Sequence, residues 1–366
     1  MKSAQDVVQT DLDYISRKLS TELPRLEGKE ILIVGGAGFL GYYLVQTLLF
    51  WNENIGETPI KITVFDSFIR GYPGWLKRLE KTAYLNIQTV DITKPLASDI
   101  LSFHYIIHAA SIASPTYYRK FPIETMDANV NGLRILLDHA LKNSNTTEGF
   151  LYFSSSEIYG DPAPESIPTP EDYRGNVSCT GPRACYDESK RYGETLCVNF
   201  AQQYQLPIKI ARPFNNYGPG LKITDRRVLP DFARDIFADR DIVLLSDGSP
   251  KRTFCYIADA IVGYFKVLIS GKPGVPYNIG TAEPEISMRE LARQSCAIAK
   301  SRFSYNGNVV AKESKDRAYL TDSPNRRCPV IRRAEKDLQY RPEITFADGL
   351  ERALLWYSGN RDGSDA

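Results

Sequence analysis

The sequence has little histidine, no paired cysteines, almost no net charge and no long apolar run. Three histidines and six scattered cysteines (Cys179, Cys185, Cys197, Cys255, Cys296, Cys328), with no C-x-x-C pair, supply no zinc-site spacing. The expectation is therefore no metal site, with free thiols in a reducing compartment. Lys and Arg number 45 against 44 Asp and Glu, for a formal charge of +1. Such balance offers no general attraction to nucleic acid or anionic membrane. No stretch approaches the roughly 18 consecutive apolar residues of a spanning helix, and the N-terminus "MKSAQDVVQTDLDYISRKLS" has no apolar signal core. These absences predict a cytoplasmic protein that binds neither nucleic acid nor membrane. What remains is an ordinary globular composition, 43% hydrophobic and 24% charged, in 366 residues. That length suits one large domain or two moderate ones.

Along the chain, residues 1–28 read as a polar N-terminal extension with a possible helix. In it Val7, Val8, Leu12, Ile15 and Leu19 recur at helical spacing. Strand-like apolar runs follow at the start of "EILIVGGAGFLG" and in "IKITVFD" (60–66), "NIQTVDI" (86–92), "YIIHAAS" (105–111), "GFLYFSSS" (149–156) and "LPIKIARPF" (206–214). Helical periodicity separates most of them, as in "ETMDANVNGLRILLDHALK" (124–142). Strand–helix alternation predicts an α/β fold with a Rossmann-type, doubly wound parallel sheet over residues 29–212. After about residue 213 the alternation weakens and Pro/Gly punctuation takes over. Residues 213–366 are expected to form mainly a smaller, mixed α/β substrate lobe.

Three motifs carry chemistry. "GGAGFLG" places Gly36, Gly38 and Gly41 in G-x-G-x-x-G, and Gly35, Gly38 and Gly41 in a looser version, directly between a strand and a helix. There glycines let backbone approach a dinucleotide pyrophosphate, whose charge the helix N-terminus favours. Asp66 closes the next strand, where a carboxylate accepts from an adenosine ribose hydroxyl and repels a 2′-phosphate, favouring NAD over NADP. Asp91, after the third strand, either faces the adenine or builds an Asx-type turn. "FSSSEIYGDP" (153–162) sets three serines at the carboxyl end of a parallel strand, the edge where open α/β sheets bind ligands. Downstream, Tyr186 and Lys190 stand four residues apart in "ACYDESKRYGE", on one helical face. Together these residues predict a proton-transfer site. Lysine lowers the tyrosine pKa and holds a cofactor ribose, serine bonds the substrate hydroxyl, and the phenolate is the base.

From about residue 28 onward the sequence resembles the extended short-chain dehydrogenase/reductases that act on nucleotide sugars, and within them the UDP-glucuronate decarboxylases. The resemblance lies in "SSSEIYGDP" and "GPRACYDESKR" (181–191), and in "HAASIASPTYY" (108–118), "RPFNNYGPG" (212–220), "DRRVLPDF" (225–232), "GSPKRTFCYIAD" (248–259) and "PNRRCPVI" (324–331). It implies Ser155, Tyr186 and Lys190 as the redox triad, Ser156 and Glu157 beside the sugar C5, and Arg327 and Tyr118 at the substrate carboxylate. Asn215, Arg227 and Arg252 are implied at the substrate and its diphosphate, where planar guanidiniums make bidentate bonds. Phe39, Leu40, Ile92, Ala109, Ala110, Ser111 and Asn129 join the NAD site by the same likeness. A UDP-sugar substrate and a homodimer are further implications. Departures from the family are Val34 for a threonine, Cys328 for a lysine beside Arg327, and the segment "IRGYPGWLKRLEKTAYL" (69–85).

The implied reaction oxidises the sugar at C4, loses carbon dioxide from the resulting β-keto acid, protonates C5 and returns the hydride, giving UDP-xylose with NAD regenerated. A 4,6-dehydratase typically has aspartate where Ser156 stands, and an apiose-forming synthase has cysteine near it. A 4-epimerase on a uronic acid leaves Glu157 and Arg327 without a task and is the main alternative. A non-catalytic NAD-binding module is the distant one, because such modules tend to lose the tyrosine or the lysine.

Overall fold

In the computed structural model, residues 1–97, 100–312, 321, 324–361 and 363 are described. Seven parallel strands form the central sheet: β1 (Glu30–Val34), β2 (Lys61–Asp66), β3 (Leu85–Thr89), β4 (Tyr105–His108), β5 (Gly149–Phe153), β6 (Ile208–Pro213) and β7 (Pro276–Ile279). Their order is β7-β6-β5-β4-β1-β2-β3, with every neighbouring pair parallel. The chain thus winds outward from β1 in one direction and from β4 in the other, which is the doubly wound arrangement. It leaves a crevice at the carboxyl ends between β1 and β4. Strands covered on both faces read as continuous apolar runs, and β4 and β5 are buried at every residue.

The strands are shorter than their apolar runs. Phe153 ends β5, and Ser156–Tyr159 tightens into a 3-10 turn, whose cap is the Ser155 hydroxyl accepting the Glu157 amide. The helix read over 124–142 is broken into Pro122–Asp127, a π turn at Ala128–Gly132, and α3 (Leu133–Lys142). Two elements from beyond residue 213 belong to the central layers: strand β7, and the helix Ile257–Ser270, which packs on β5 and β6. Smaller pairings complete the substrate side, with Lys251–Arg252 between Ile286–Ser287 and Arg326–Arg327.

The first helix, α1 (Ala4–Lys18), is closed by a capping box in which Ser3 and Asp6 satisfy each other's backbone donors. Val7, Leu12, Ile15 and, just past its end, Leu19 are buried, each contributing about 1.5–3 kcal/mol of gross apolar transfer. The helix packs on α2 (Phe39–Asn54), on Ile257–Ser270 and on Phe346–Gly359. At that junction the buried Asp11 carboxylate accepts from Tyr43 (2.5 Å), Tyr256 (2.7 Å) and Arg352 (2.9 Å). Burial pushes the Asp11 carboxyl up to about 6 against those donors. The substitution Asp11→Ala should strand two buried phenols and leave Arg352 with Asp348 as its remaining partner, lowering the unfolding free energy in urea titrations by about 3 kcal/mol.

Candidate active site

A cavity of about 1000 Å³ opens at the carboxyl edge of the sheet. The Rossmann side supplies its wall with the glycine turn, Asp66, Ala109 to Ser111, Ser154 to Glu157, Tyr186 and Lys190; the later chain adds Asn215, Arg227 and Arg252. Residues from eight stretches of sequence therefore meet in one space.

The turn between β1 and α2 shows what each glycine does. Gly35 has φ +81°, and a Cβ on it would lie 2.5 Å from the Ala110 backbone. On Gly41 a Cβ would lie 2.1 Å from the Gly36 carbonyl oxygen, so this residue sets the tightness of the turn. Gly36 packs against Val64. Neither Gly36 nor Gly41 forms cavity wall, whereas Gly35, Gly38, Phe39 and Leu40 do. Gly38 caps α2 and faces open space apart from the Gly35 carbonyl, leaving room for a pyrophosphate at the helix N-terminus. Asp66 accepts backbone N–H groups of Ala37 and Phe68 at 3.0 and 2.8 Å, which aims its carboxylate along the cavity. The buried Ser111 hydroxyl has no partner among the described residues, and Ile92 is buried in the same wall. This cradle fits a dinucleotide. Asp91 accepts from the Thr93 amide and hydroxyl in an Asx-type turn and also reaches the cavity. Asn129 was expected at the cofactor; instead it is buried outside the wall and donates to Ser189 at 2.9 Å.

The proton-transfer residues sit where β5 meets α4 (Ala184–Tyr204). Lys190 donates to the Phe153 carbonyl at 2.7 Å, and its ammonium lies 5.8 Å from the Tyr186 ring centroid. The Ser155 hydroxyl accepts the Glu157 amide at 3.1 Å and sits beside the Tyr186 phenol, whose pKa it pulls down. Tyr118 stacks on Tyr186, with centroids 5.1 Å apart and planes at 13°, and its buried hydroxyl has no partner among the described residues. Lysine was expected to lower the tyrosine pKa. Burial dominates instead and raises Tyr186 to about 12, against the lowering effects of Ser155 and Arg227. Burial likewise drives Lys190 down to about 7.

The serines of the run differ in what they meet. The buried Ser154 hydroxyl has no partner among the described residues, Ser155 sits beside Tyr186, and Ser156 accepts Arg327 at 3.1 Å. Arg327 also pairs with Glu157 at 2.9 Å and reaches the Gly160 carbonyl. It is 4% exposed and lies behind the wall, so the substrate contact expected of it is not open in this arrangement. The guanidinium at the surface beside Glu157 is Arg183, which pairs with that carboxylate and lies over the Tyr118 ring. Sequence reasoning passed over Arg183, although it stands in "GPRACYDESKR" one helical turn before Tyr186. Burial opposes ionisation of Glu157, but Arg183, Arg327 and Arg252 together hold its carboxyl down to about 2. Arg252 donates to the Pro324 carbonyl at 2.6 Å, and burial with the like charge of Arg327 lowers it to about 10. Cys328, beside Arg327, points its thiol at the Ala282 carbonyl, away from the arginine. Asn215 is tied to the Thr253 carbonyl at 2.9 Å, and Arg227 pairs with Asp225 at 2.9 Å. Among the described residues no cluster of three or more His, Cys, Asp or Glu side chains is placed to hold a metal, and no helix is long and apolar enough to cross a membrane.

A doubly wound parallel sheet, a glycine cradle followed by an acidic strand end, and a Ser–Tyr–Lys cluster define a nucleotide-dependent redox enzyme of the short-chain dehydrogenase/reductase type. Residues 31–280 match the NAD dependent epimerase/dehydratase family, and the chain belongs to it. Its cofactor is NAD. UDP-glucuronic acid decarboxylase 5 of Arabidopsis thaliana is 33% identical over 320 residues, 87% of this chain and 86% of that protein. UDP-glucuronic acid decarboxylase 1 of Danio rerio is 31% identical over 336 residues, covering 92% and 74%. Among solved structures, a dTDP-glucose 4,6-dehydratase from Streptomyces venezuelae with NAD and TYD bound superposes with TM-score 0.77 at 26% identity, covering 91% and 98%. UDP-glucuronic acid 4-epimerase from Bacillus cereus shares the fold, with TM-score 0.73 at 23% identity over 90% and 99% of the two chains.

The lowered Lys190 value has a signed consequence. Folded protein binds fewer protons than unfolded between about 7 and the ordinary 10.5, so this group makes stability rise with pH across that window. In cofactor-free protein, denaturant titrations at stepped pH should show wild type gaining up to about 1.4 kcal/mol per pH unit relative to Lys190→Met.

Proposed function

We propose that this protein decarboxylates UDP-glucuronate to UDP-xylose through a 4-keto intermediate, with NAD recycled. One observation carries the reading: a carboxylate, Glu157, held ionised by Arg183 and Arg327 directly beside the Ser155–Tyr186 pair. Oxidation and reduction at C4 need only the serine, tyrosine and lysine. A charged cluster next to them serves chemistry at C5 and C6. Relatives at 30–33% identity that are named UDP-glucuronic acid decarboxylases support the same choice.

NAD, held along Gly35 to Leu40, Asp66 and Ala109 to Ser111, supplies hydride acceptance from C4 and its return. Tyr186 would take the proton of the 4-hydroxyl as the phenolate, a form that burial opposes and that the positive charge of a bound nicotinamide and of the Lys190 ammonium would favour, with Ser155 beside the phenol. A C4 ketone turns the C6 carboxylate into that of a β-keto acid, and the carbon–carbon bond electrons pass into the C4 oxygen as carbon dioxide leaves. Tyr186 and Ser155 then face the developing enolate oxygen. Arg183, at the cavity surface one turn from Tyr186, is the guanidinium available to the sugar carboxylate. Glu157, ionised at any working pH, is not itself the acid for C5; it orients the water that delivers the proton. Arg227 and Arg252 face the diphosphate. A cytoplasmic homodimer acting on this UDP-sugar completes the reading.

Incubation with UDP-glucuronate, followed by proton NMR and carbon dioxide measurement, should give UDP-xylose and one carbon dioxide per turnover. UDP-galacturonate without carbon dioxide would replace the decarboxylase with a 4-epimerase, and absence of turnover would move the substrate to another sugar nucleotide. Tyr186→Phe should lower kcat by about 10²–10⁴-fold; retention of wild-type turnover would remove the proton-transfer assignment.

A further inference from the structure

The segment after β2 departs from the family pattern, and it meets the opposite side of the cavity. Arg70, in that segment, donates to the Asp225 carboxylate at 2.9 Å, and the same carboxylate pairs with Arg227 through its Nε at 2.9 Å. Asp225 is 1% exposed although two guanidiniums reach it from different walls. Removing either guanidinium would leave part of a buried ion pair uncompensated. Other bonds reinforce the crossing. The Lys222 ammonium donates to the Arg70 carbonyl at 3.0 Å, Ser114 donates to the Asp225 carbonyl at 2.7 Å, and the Arg70 guanidinium lies 5.0 Å from the Tyr117 ring centroid. All six of these side chains line the cavity. The bridge therefore spans the space between the Asp66 end, where the adenosine ribose belongs, and the part beside Tyr186.

We propose that Asp225 is a positioning residue that couples the two binding sites: through Arg70 it fastens the post-β2 segment across the cofactor, and through Arg227 it aims a guanidinium at the substrate diphosphate. The inference rests on the family's NAD and on a diphosphate-bearing substrate, and not on which sugar that substrate carries. The geometry of arginine gives the reason. The contact with Asp225 runs to Arg227 Nε as an ion pair, with the carboxylate Oδ1 making no hydrogen bond among the described residues; charge attraction draws the guanidinium to this side, and its planar fork suits phosphate oxygens. The guanidinium also stands 6.0 Å from the ring of Phe39, the first residue of α2, so it lies between the pyrophosphate cradle and Tyr186. On the other side Arg70 is 41% exposed at its side chain, so this half of the bridge can open without unpacking a core. Cofactor retention and diphosphate affinity then share one buried carboxylate.

The test uses purified holoenzyme, with bound NAD quantified after denaturation at intervals of dialysis and UDP binding followed by calorimetry. Arg70→Ala should release NAD about tenfold faster than wild type with an unchanged melting temperature. Asp225→Asn should release NAD faster and also weaken UDP binding by about tenfold or more. If Asp225→Asn does not fold, Arg227→Lys takes its place for the second arm, because the compact ammonium lacks the fork and should weaken UDP binding similarly. NAD release from Arg70→Ala at the wild-type rate overturns the inference, as does wild-type UDP affinity in Asp225→Asn or its replacement. A wild type that binds UDP yet releases no carbon dioxide from UDP-glucuronate removes the decarboxylase reading and leaves this test standing.

Discussion

The hydrogen bond from the Lys190 ammonium to the Phe153 carbonyl joins the first turns of α4 to the last residue of β5. It forms because the helix lies unusually close to the strand. Gly193 permits that approach, since a Cβ there would fall 2.1 Å from the Tyr152 hydroxyl. With the helix held so, Tyr186 and Arg183 project on the face that meets the serine run, and Ser155 can reach the phenol. Moving α4 outward by one methyl group's width would separate the tyrosine from its serine and Glu157 from Arg183 together.

Desolvation then governs the charges. Lys190, Tyr186 and Glu157 share one low-dielectric edge, yet burial acts on them with different outcomes. Lys190 and Tyr186 are pushed toward their neutral forms, whereas three arginines hold Glu157 ionised. At the opposite edge the buried Asp225 is flanked by two guanidiniums. A cavity walled in this way suits an anionic ligand better than a neutral one. Cation density around a diphosphate is stabilising where solvent screening is weak.

The structural supports of the site come from widely separated sequence. Arg326–Arg327 pairs beside Lys251–Arg252, which brings two arginine-bearing segments to the Ser156–Glu157 turn. The fork of Arg212 bonds Glu194, Tyr159 and the Glu171 carbonyl, and so locks the back of that turn to α4. Such buried polar networks are stabilising only when every member is satisfied, which places strong demands on residues that never touch a ligand.

Local pattern alone was enough for the strands of the Rossmann side, the glycine turn, the acidic end of β2 and the Tyr186–Lys190 face, because each depends on spacing over a few residues. The first helix was readable from five apolar positions for the same reason. Pairings between distant segments were not readable that way. Strand β7 hides in "GVPYN", a stretch whose Pro and Gly suggest punctuation, and only burial against β6 makes it a strand. Arg327 and Arg183 look alike in sequence, as charged residues within motifs. Which one faces the cavity and which one lies behind it depends on the Lys251–Arg252 pairing that turns Arg327 inward. Side-chain identity decided which chemistry was possible, and the three-dimensional crossing of chains decided which charge meets which, because electrostatic contacts act through space and take no account of order along the chain.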